Sequence, residues 1–365
     1  APPRTPLERS LAQIFQAVLK LERVGRHDSF FDLGGHSLLA VQLMARIETQ
    51  LGAVLPLATL FRASTVEQLA KALQNRDIAG PASSVLALQP KGSRPPFFCL
   101  PGIGGHVIGF RELANLVGPN QPFYGLQPQG LDGTEPPHTR IEDMAEYAIE
   151  QMQRIQAHGP YFIGGYSAGG VVAYEMAQQL QQKGETIGLL VLLDTRAPGY
   201  RPIAPFAVRI GLHLKHMLHL TLSDQFRYLR DHLLSRLRQF DGAARKELLS
   251  YLPDAGDSLS RTIQDVAGTF AEALRRYVPK PYAGRITLLG AAQRPQWLGA
   301  SFDDPSLGWS QLALRGVMVR TVSGTHLGIL ATPNINFMAR ELDSCLRAAQ
   351  SAYAPASESV SATTR

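Results

Sequence analysis

Cysteine is almost absent from this chain: Cys99 and Cys345 are the two thiols in 365 residues. They stand far apart, without the short spacing of metal ligands, so neither a disulfide framework nor a zinc site organises the fold. Both read as packing residues. No apolar run approaches the roughly 18 residues that a membrane-spanning helix needs. The opening Ala1-Pro2-Pro3-Arg4-Thr5-Pro6 lacks the apolar stretch of a secretory signal. A cytoplasmic protein without a membrane partner is expected. Blocks of one charge are also missing. The net charge is +6, and the basic excess is concentrated in 203–280, where no recognition motif or aromatic stacking pattern accompanies it. A solvated helical face is expected there, with no nucleic-acid partner. No internal repeat is found.

What the chain does have is a change of rhythm. From Leu7 to about Gln74, Leu11, Ile14, Phe15, Val18 and Leu19, and later Ala40, Leu43, Ile47 and Leu51, recur at helical spacing with no convincing strand. A small all-α bundle is expected over 1–76. Residues 77–96, rich in Gly, Pro and Ser, read as a linker. From residue 97 to about 350, short apolar stretches alternate with helical ones: strands are expected at Phe97–Leu100, Pro122–Leu126, Tyr161–Gly164, Leu189–Leu193, Arg285–Leu289 and Val317–Val322. Helices Ile141–Ala157 and Val171–Lys183 fall between them, which makes an α/β domain with a mostly parallel sheet. The stretch of about 203–280 has helical periodicity only and is expected to be an inserted cap. The final residues 351–365, rich in Ser, Ala and Thr, read as a disordered tail.

Two motifs carry chemistry. In Phe30-Phe31-Asp32-Leu33-Gly34-Gly35-His36-Ser37-Leu38 two glycines end a loop and the serine opens a helix. Its hydroxyl then sits beside unpaired backbone N–H groups at the positive end of the helix dipole, a setting that suits an attached phosphate. In Gly165-Tyr166-Ser167-Ala168-Gly169 a serine occupies the turn from a strand into a helix, with glycines two residues either side so that the backbones pack closely. A serine hydroxyl needs a base, and the base an orienting carboxylate. Asp194 ends the next strand, and successive parallel strands end on the same side, so Asp194 is expected near Ser167. His326 lies just past a late strand. His106, His138 and His158 precede the serine, and His213, His216 and His219 lie in the cap, where no acidic or cysteine ligand completes a metal site.

Acyl transfer also needs donors for the oxyanion. The backbone N–H of Ala168 is one, and the other is expected from the loop Leu100-Pro101-Gly102-Ile103-Gly104-Gly105, at Ile103. That loop is no dinucleotide site, because Val107 stands where the third glycine of such a site is required.

The Phe-Phe-Asp-Leu-Gly-Gly-His-Ser-Leu-Leu-Ala segment resembles the phosphopantetheine attachment motif of nonribosomal peptide synthetase carrier domains over about 5–75. The resemblance implies a four-helix carrier bearing 4'-phosphopantetheine covalently on Ser37. Its His36, where polyketide and fatty-acid carriers usually have aspartate, implies an aminoacyl or peptidyl cargo. From about Pro95 to Ala348, Gly130-Leu131-Asp132-Gly133-Thr134-Glu135-Pro136-Pro137, Gly159 to Gly170 and Gly324-Thr325-His326-Leu327-Gly328 resemble the type I thioesterase domains of nonribosomal peptide and polyketide synthases. Thr325 departs from the acidic residue or asparagine common there. This resemblance implies an α/β-hydrolase fold with the cap as a helical lid. Together the two imply a C-terminal carrier–thioesterase didomain that releases a chain by hydrolysis or cyclisation. The implied partners are upstream condensation and adenylation domains and a phosphopantetheinyl transferase. A carrier and interaction module with a non-releasing hydrolase-like domain is the alternative.

Overall fold

The computed structural model describes residues 1–35, 37–75, 84–200, 258–294 and 304–353. The chain opens with helices α1 (Pro6–Leu19), α2 (Ser37–Leu51), the single turn α3 (Thr59–Arg62) and α4 (Val66–Asn75). Helix α1 begins where it does because Thr5 is extended and its hydroxyl accepts the Glu8 N–H at 3.1 Å, with Pro6 in the first turn. It ends at Lys20, which turns left-handed at φ 56°. Its apolar stripe, Leu11, Ile14, Phe15 and Val18, is buried against Leu43 and Ile47 of α2 and Val66 and Leu69 of α4. A buried ion pair crosses this bundle: Arg26 donates to Glu8 at 2.8 Å and lies 3.1 Å from Glu67 of α4.

A seven-stranded sheet follows, in the order β1-β3-β2-β4-β5-β6-β7 among the described residues. The strands are β1 (Val85–Gln89), β2 (Phe97–Leu100), β3 (Phe123–Leu126), β4 (Tyr161–Tyr166), β5 (Ile187–Leu193), β6 (Ile286–Gln293) and β7 (Val317–Thr325). All neighbours are parallel except β1, which runs antiparallel to β3 with Val85 opposite Leu126. Strand β1 corrects the expected linker over 77–96. It is a half-exposed edge strand, so its residues do not form the unbroken apolar run that marks the buried strands. Residues 201–257, most of the expected cap, and 354–365 of the expected tail lie outside the described residues, as does His36.

Helices cover both faces. On one side α6 (Ile141–Gln153), α7 (Ala168–Gln182) and α8 (Ser258–Arg276) bury Met152, Tyr174 and Phe270 against β2, β4 and β5. On the other, α5 (Phe110–Val117) and α9 (Ile335–Ser351) bury Phe110, Met338 and Leu342. Strand β2 is buried along its whole length, and Phe97 and Phe123 meet edge-on at 5.0 Å between ring centres. Parallel strands covered on both faces read as the continuous apolar runs seen in the sequence. No helix among the described residues is long and apolar enough to cross a membrane.

Candidate active site

Strand register brings the site together. Tyr166 at the end of β4 pairs with Leu193, and Leu193 pairs with Leu289 of β6, so the residues that follow each strand emerge at the same edge of the sheet. Ser167 sits between β4 and α7 at φ 53° and ψ −123°, a conformation that L-residues rarely adopt. Its N–H donates to the Leu193 carbonyl at 3.0 Å, which holds the turn. The turn is possible only because its flanks are glycine: a Cβ on Gly165 would collide with the Gly169 carbonyl, and one on Gly169 with the Pro101 carbonyl. Helix α7 therefore starts at Ala168, three residues earlier than the expected start at Val171.

Asp194 follows β5 with φ 45°, and its N–H donates to the Leu289 carbonyl at 2.8 Å. The carboxylate accepts the Ala291 N–H at 2.8 Å on one oxygen and faces His326 Nδ1 at 2.7 Å on the other. His326 Nε2 lies 3.0 Å from Ser167 Oγ. The three side chains form one relay. The imidazole is further held by Tyr166, whose ring stacks on it at 5.2 Å and whose hydroxyl donates to the His326 carbonyl at 2.7 Å.

Burial pushes the Asp194 carboxyl up, but hydrogen bonds from His326 and Ala291 and the positive charge of Arg294 outweigh it and hold the group below the usual carboxylate range. Asp194 is 8% exposed, whereas the His326 side chain is 37% exposed. The anion is thus enclosed while the imidazole reaches solvent.

Ile103 and Ala168 flank the serine. Gly105 N–H donates to the Gly102 carbonyl at 2.9 Å, closing a turn with Ile103 inside it. A Cβ on Gly102 would come 3.6 Å from the Ser167 Cβ, so this turn lies against the serine. Ala168 opens α7, where backbone N–H groups have no partner within the helix. Next to both turns is an apolar recess walled by Leu100, Pro101, Met144, Gly169, Val172 and Phe270.

Ser37 lies far from this cluster in sequence and is the first residue of α2. The loop before it is wound tightly, with Leu33 N–H on the Ser29 carbonyl and Gly35 N–H on the Phe30 carbonyl. Gly34 has φ 90° and open space around it, whereas a Cβ on Gly35 would strike the Phe30 ring. The loop thus winds on two glycines toward the amino end of the 15-residue helix α2, where Ser37 stands.

A family model described as "Thioesterase domain" matches residues 95–343. The chain belongs to the thioesterase domain family. A second model, "Phosphopantetheine attachment site", matches residues 9–73, so the helical carrier ahead of the thioesterase domain is the site of covalent 4'-phosphopantetheine attachment. A dimodular nonribosomal peptide synthase of Bacillus subtilis (strain 168) is 38% identical over 301 residues, 81% of this chain and 12% of that protein. An indigoidine synthase of Dickeya dadantii (strain 3937) is 44% identical over 54% of this chain and 13% of its own length. The chain therefore spans about an eighth of these relatives. Among solved structures, a four-domain nonribosomal peptide synthetase in holo form bound to AMP and glycine is similar over 94% of this chain and 26% of its own, with TM-score 0.58 and 30% identity. The NocB thioesterase domain in covalent complex with a fluorophosphonate nocardicin G analog shares the fold, with TM-score 0.53 and 21% identity over 72% of this chain and 99% of its own. Carrier and thioesterase domain are thus the pair that takes a chain off its carrier, on an α/β-hydrolase fold.

The structure brings the three residues expected from the sequence, Ser167, Asp194 and His326, within hydrogen-bonding reach of one another, and adds supports that the sequence does not show. Tyr166 is inside the serine motif, yet nothing local shows that its hydroxyl reaches residue 326. Arg294 stands just past β6, the strand that neighbours β5, and that position was its only signal.

Proposed function

We propose that this chain releases an aminoacyl or peptidyl group from a thioester carried on Ser37, through an acyl-Ser167 intermediate. The observation that carries this reading is the unbroken relay from Asp194 through His326 to Ser167, at 2.7 and 3.0 Å. When attached, 4'-phosphopantetheine supplies the thiol on which the acyl group is held. Asp194 keeps the proton on Nδ1 of His326, leaving Nε2 free to accept. As Oγ of Ser167 bonds to the acyl carbon, His326 takes the hydroxyl proton, and it returns that proton to the departing thiolate as the carbon–sulfur bond breaks. The N–H groups of Ile103 and Ala168 hold the negative oxygen of the tetrahedral intermediate.

In the second half His326 takes a proton from water, or from an amine or hydroxyl of the acyl group itself. A free acid or a ring leaves, and Ser167 regains its proton. Upstream condensation and adenylation domains would deliver the chain, and a phosphopantetheinyl transferase would modify Ser37.

Two measurements test this. Co-expression with a phosphopantetheinyl transferase adds one phosphopantetheine to the intact mass, and Ser37→Ala removes the gain; an undiminished gain moves the site elsewhere. A serine-directed phosphonate labels Ser167, and Asp194→Asn slows acyl transfer by about 10³–10⁴. Equal rates with and without Asp194 would remove it from the relay.

A further inference from the structure

The carrier and the thioesterase domain do not merely adjoin. Buried Leu259, Ile263 and Val266 of α8 join the hydrophobic core of the carrier, together with Ile108 and Leu131. Further along the same helix Phe270 and Ala273 join the core of the sheet domain. These five residues follow one another at spacings of four and three, so they form a single apolar stripe on α8. The first half of the stripe rests on the carrier and the second half on the sheet. Val266 also lies 3.3 Å from where a Cβ on Gly105 would stand, against the turn that holds Ile103. Phe270 walls the recess beside Gly169.

One polar contact fixes the carrier end of this helix. Ser258, its first residue, donates its N–H to the two Glu48 carboxylate oxygens at 3.2 and 3.1 Å and its hydroxyl to one of them at 2.8 Å. Glu48 lies in the last turn of α2, where the negative end of that helix disfavours a carboxylate. The amino end of α8 has the opposite polarity, and the N–H and hydroxyl of Ser258 there both point to Glu48, so a carboxylate unfavourably placed on its own helix is well placed for the neighbouring one. A second contact lies near the attachment motif, where the Arg111 guanidinium of α5 sits 4.3 Å over the Phe31 ring.

We propose that Glu48 of the carrier caps and positions α8, so that the carrier presenting the acyl group also completes the apolar wall of the recess that receives it. Glu48 is a positioning residue: it acts on the recess through α8 and touches no reacting atom. Seating of the carrier and shaping of the recess are then one event, and a carrier without an acid at this position leaves the wall loose. The acyl groups that gain most are those with an apolar face, since Met144, Val172 and Phe270 line the recess.

The test uses the full chain. Hydrogen exchange of peptides within 258–270 is compared in the native protein, Glu48→Gln and Glu48→Ala. Loss of a helix cap speeds exchange in the first turns of α8 about fivefold in Glu48→Ala, with Glu48→Gln between the two, while peptides from α1 stay unchanged. Should Glu48→Ala also loosen α1, Ser258→Ala decides: it removes the hydroxyl donor from outside the carrier and speeds the same peptides about twofold. Unchanged exchange in α8 in the variant that leaves α1 intact overturns the proposal.

A second arm rests on the function proposed above. KM for a soluble thioester with a long apolar acyl group rises severalfold in Glu48→Ala, while kcat for the acetyl thioester stays within twofold; equal KM values would sever Glu48 from the recess. The exchange arm needs no turnover. Failure of Ser167 to label would end the functional reading and leave the capping measurement standing.

Discussion

At the scale of single residues, backbone strain marks the site more sharply than side-chain identity does. Ser167 and Asp194 are two of the few non-glycine residues with positive φ among those described, and each follows a parallel strand of the same sheet. Their strain is held by the packing around them. Gly170 shows how little room is left, since a Cβ there would collide with the Thr195 hydroxyl. Thr195 is buried beside Asp194, and its carbonyl accepts the Trp309 indole N–H at 2.8 Å. Gly170→Ala is therefore expected to cost about 1–3 kcal/mol in unfolding free energy, measured by urea denaturation, and to slow serine labelling by displacing the strand end. An unchanged midpoint would mean that Thr195 yields freely. The proximity of Ser167, Asp194 and His326 was legible because chain order and parallel strands suffice to place loop residues at one edge. The stacking of Tyr166 on His326 was not, because it depends on side-chain direction across 160 residues.

Among elements, the carrier bundle is tied by an ion network as well as by its core. The Arg26 guanidinium hydrogen-bonded to Glu8 holds that carboxyl at about 2, against an ordinary value of 4.5. A depressed folded value means that the unfolded chain binds the proton more readily. Its contribution to stability is thus complete above about pH 4.5 and is lost as pH falls through about 2. Carrier unfolding, followed by the methyl resonances of its core, should lose stability from pH 5 down to 2, and Glu8→Gln should flatten that part of the profile. A variant as pH-sensitive as the native chain would show that other carboxyls carry the slope. The element boundaries that sequence missed have physical reasons. Strand β1 is short, half-exposed and set among turn-forming residues, so neither periodicity nor composition marks it. Strand β7 runs on through Gly324 to Thr325, where glycine in the sequence suggests a stop; the Asn334 amide packs against that glycine and occupies the space a side chain would need.

For the molecule as a whole, what was readable and what was not divides along domain lines. Two separate motifs and a change of periodicity were enough to lay out a helical carrier and an α/β domain in order. The bond between Glu48 and Ser258 joins residues 210 apart in the chain, and no local pattern reports it. That contact belongs to surfaces, which single-domain periodicity does not describe. The edge strand β1 has a different consequence at this scale. It begins at Val85, while α4 ends at Asn75, so the carrier is leashed to the sheet by residues 76–84. However those residues run, they reach no further than about 30 Å. A leash of that length confines the carrier to a small volume, equivalent to a local concentration in the millimolar range. Encounter then stops being a matter of dilution. Unloading in a single turnover should proceed at one rate from nanomolar to micromolar protein, and an excess of free carrier domain should scarcely compete. A rate that climbs in proportion to protein concentration would mean that carriers are served by the thioesterase domains of other copies.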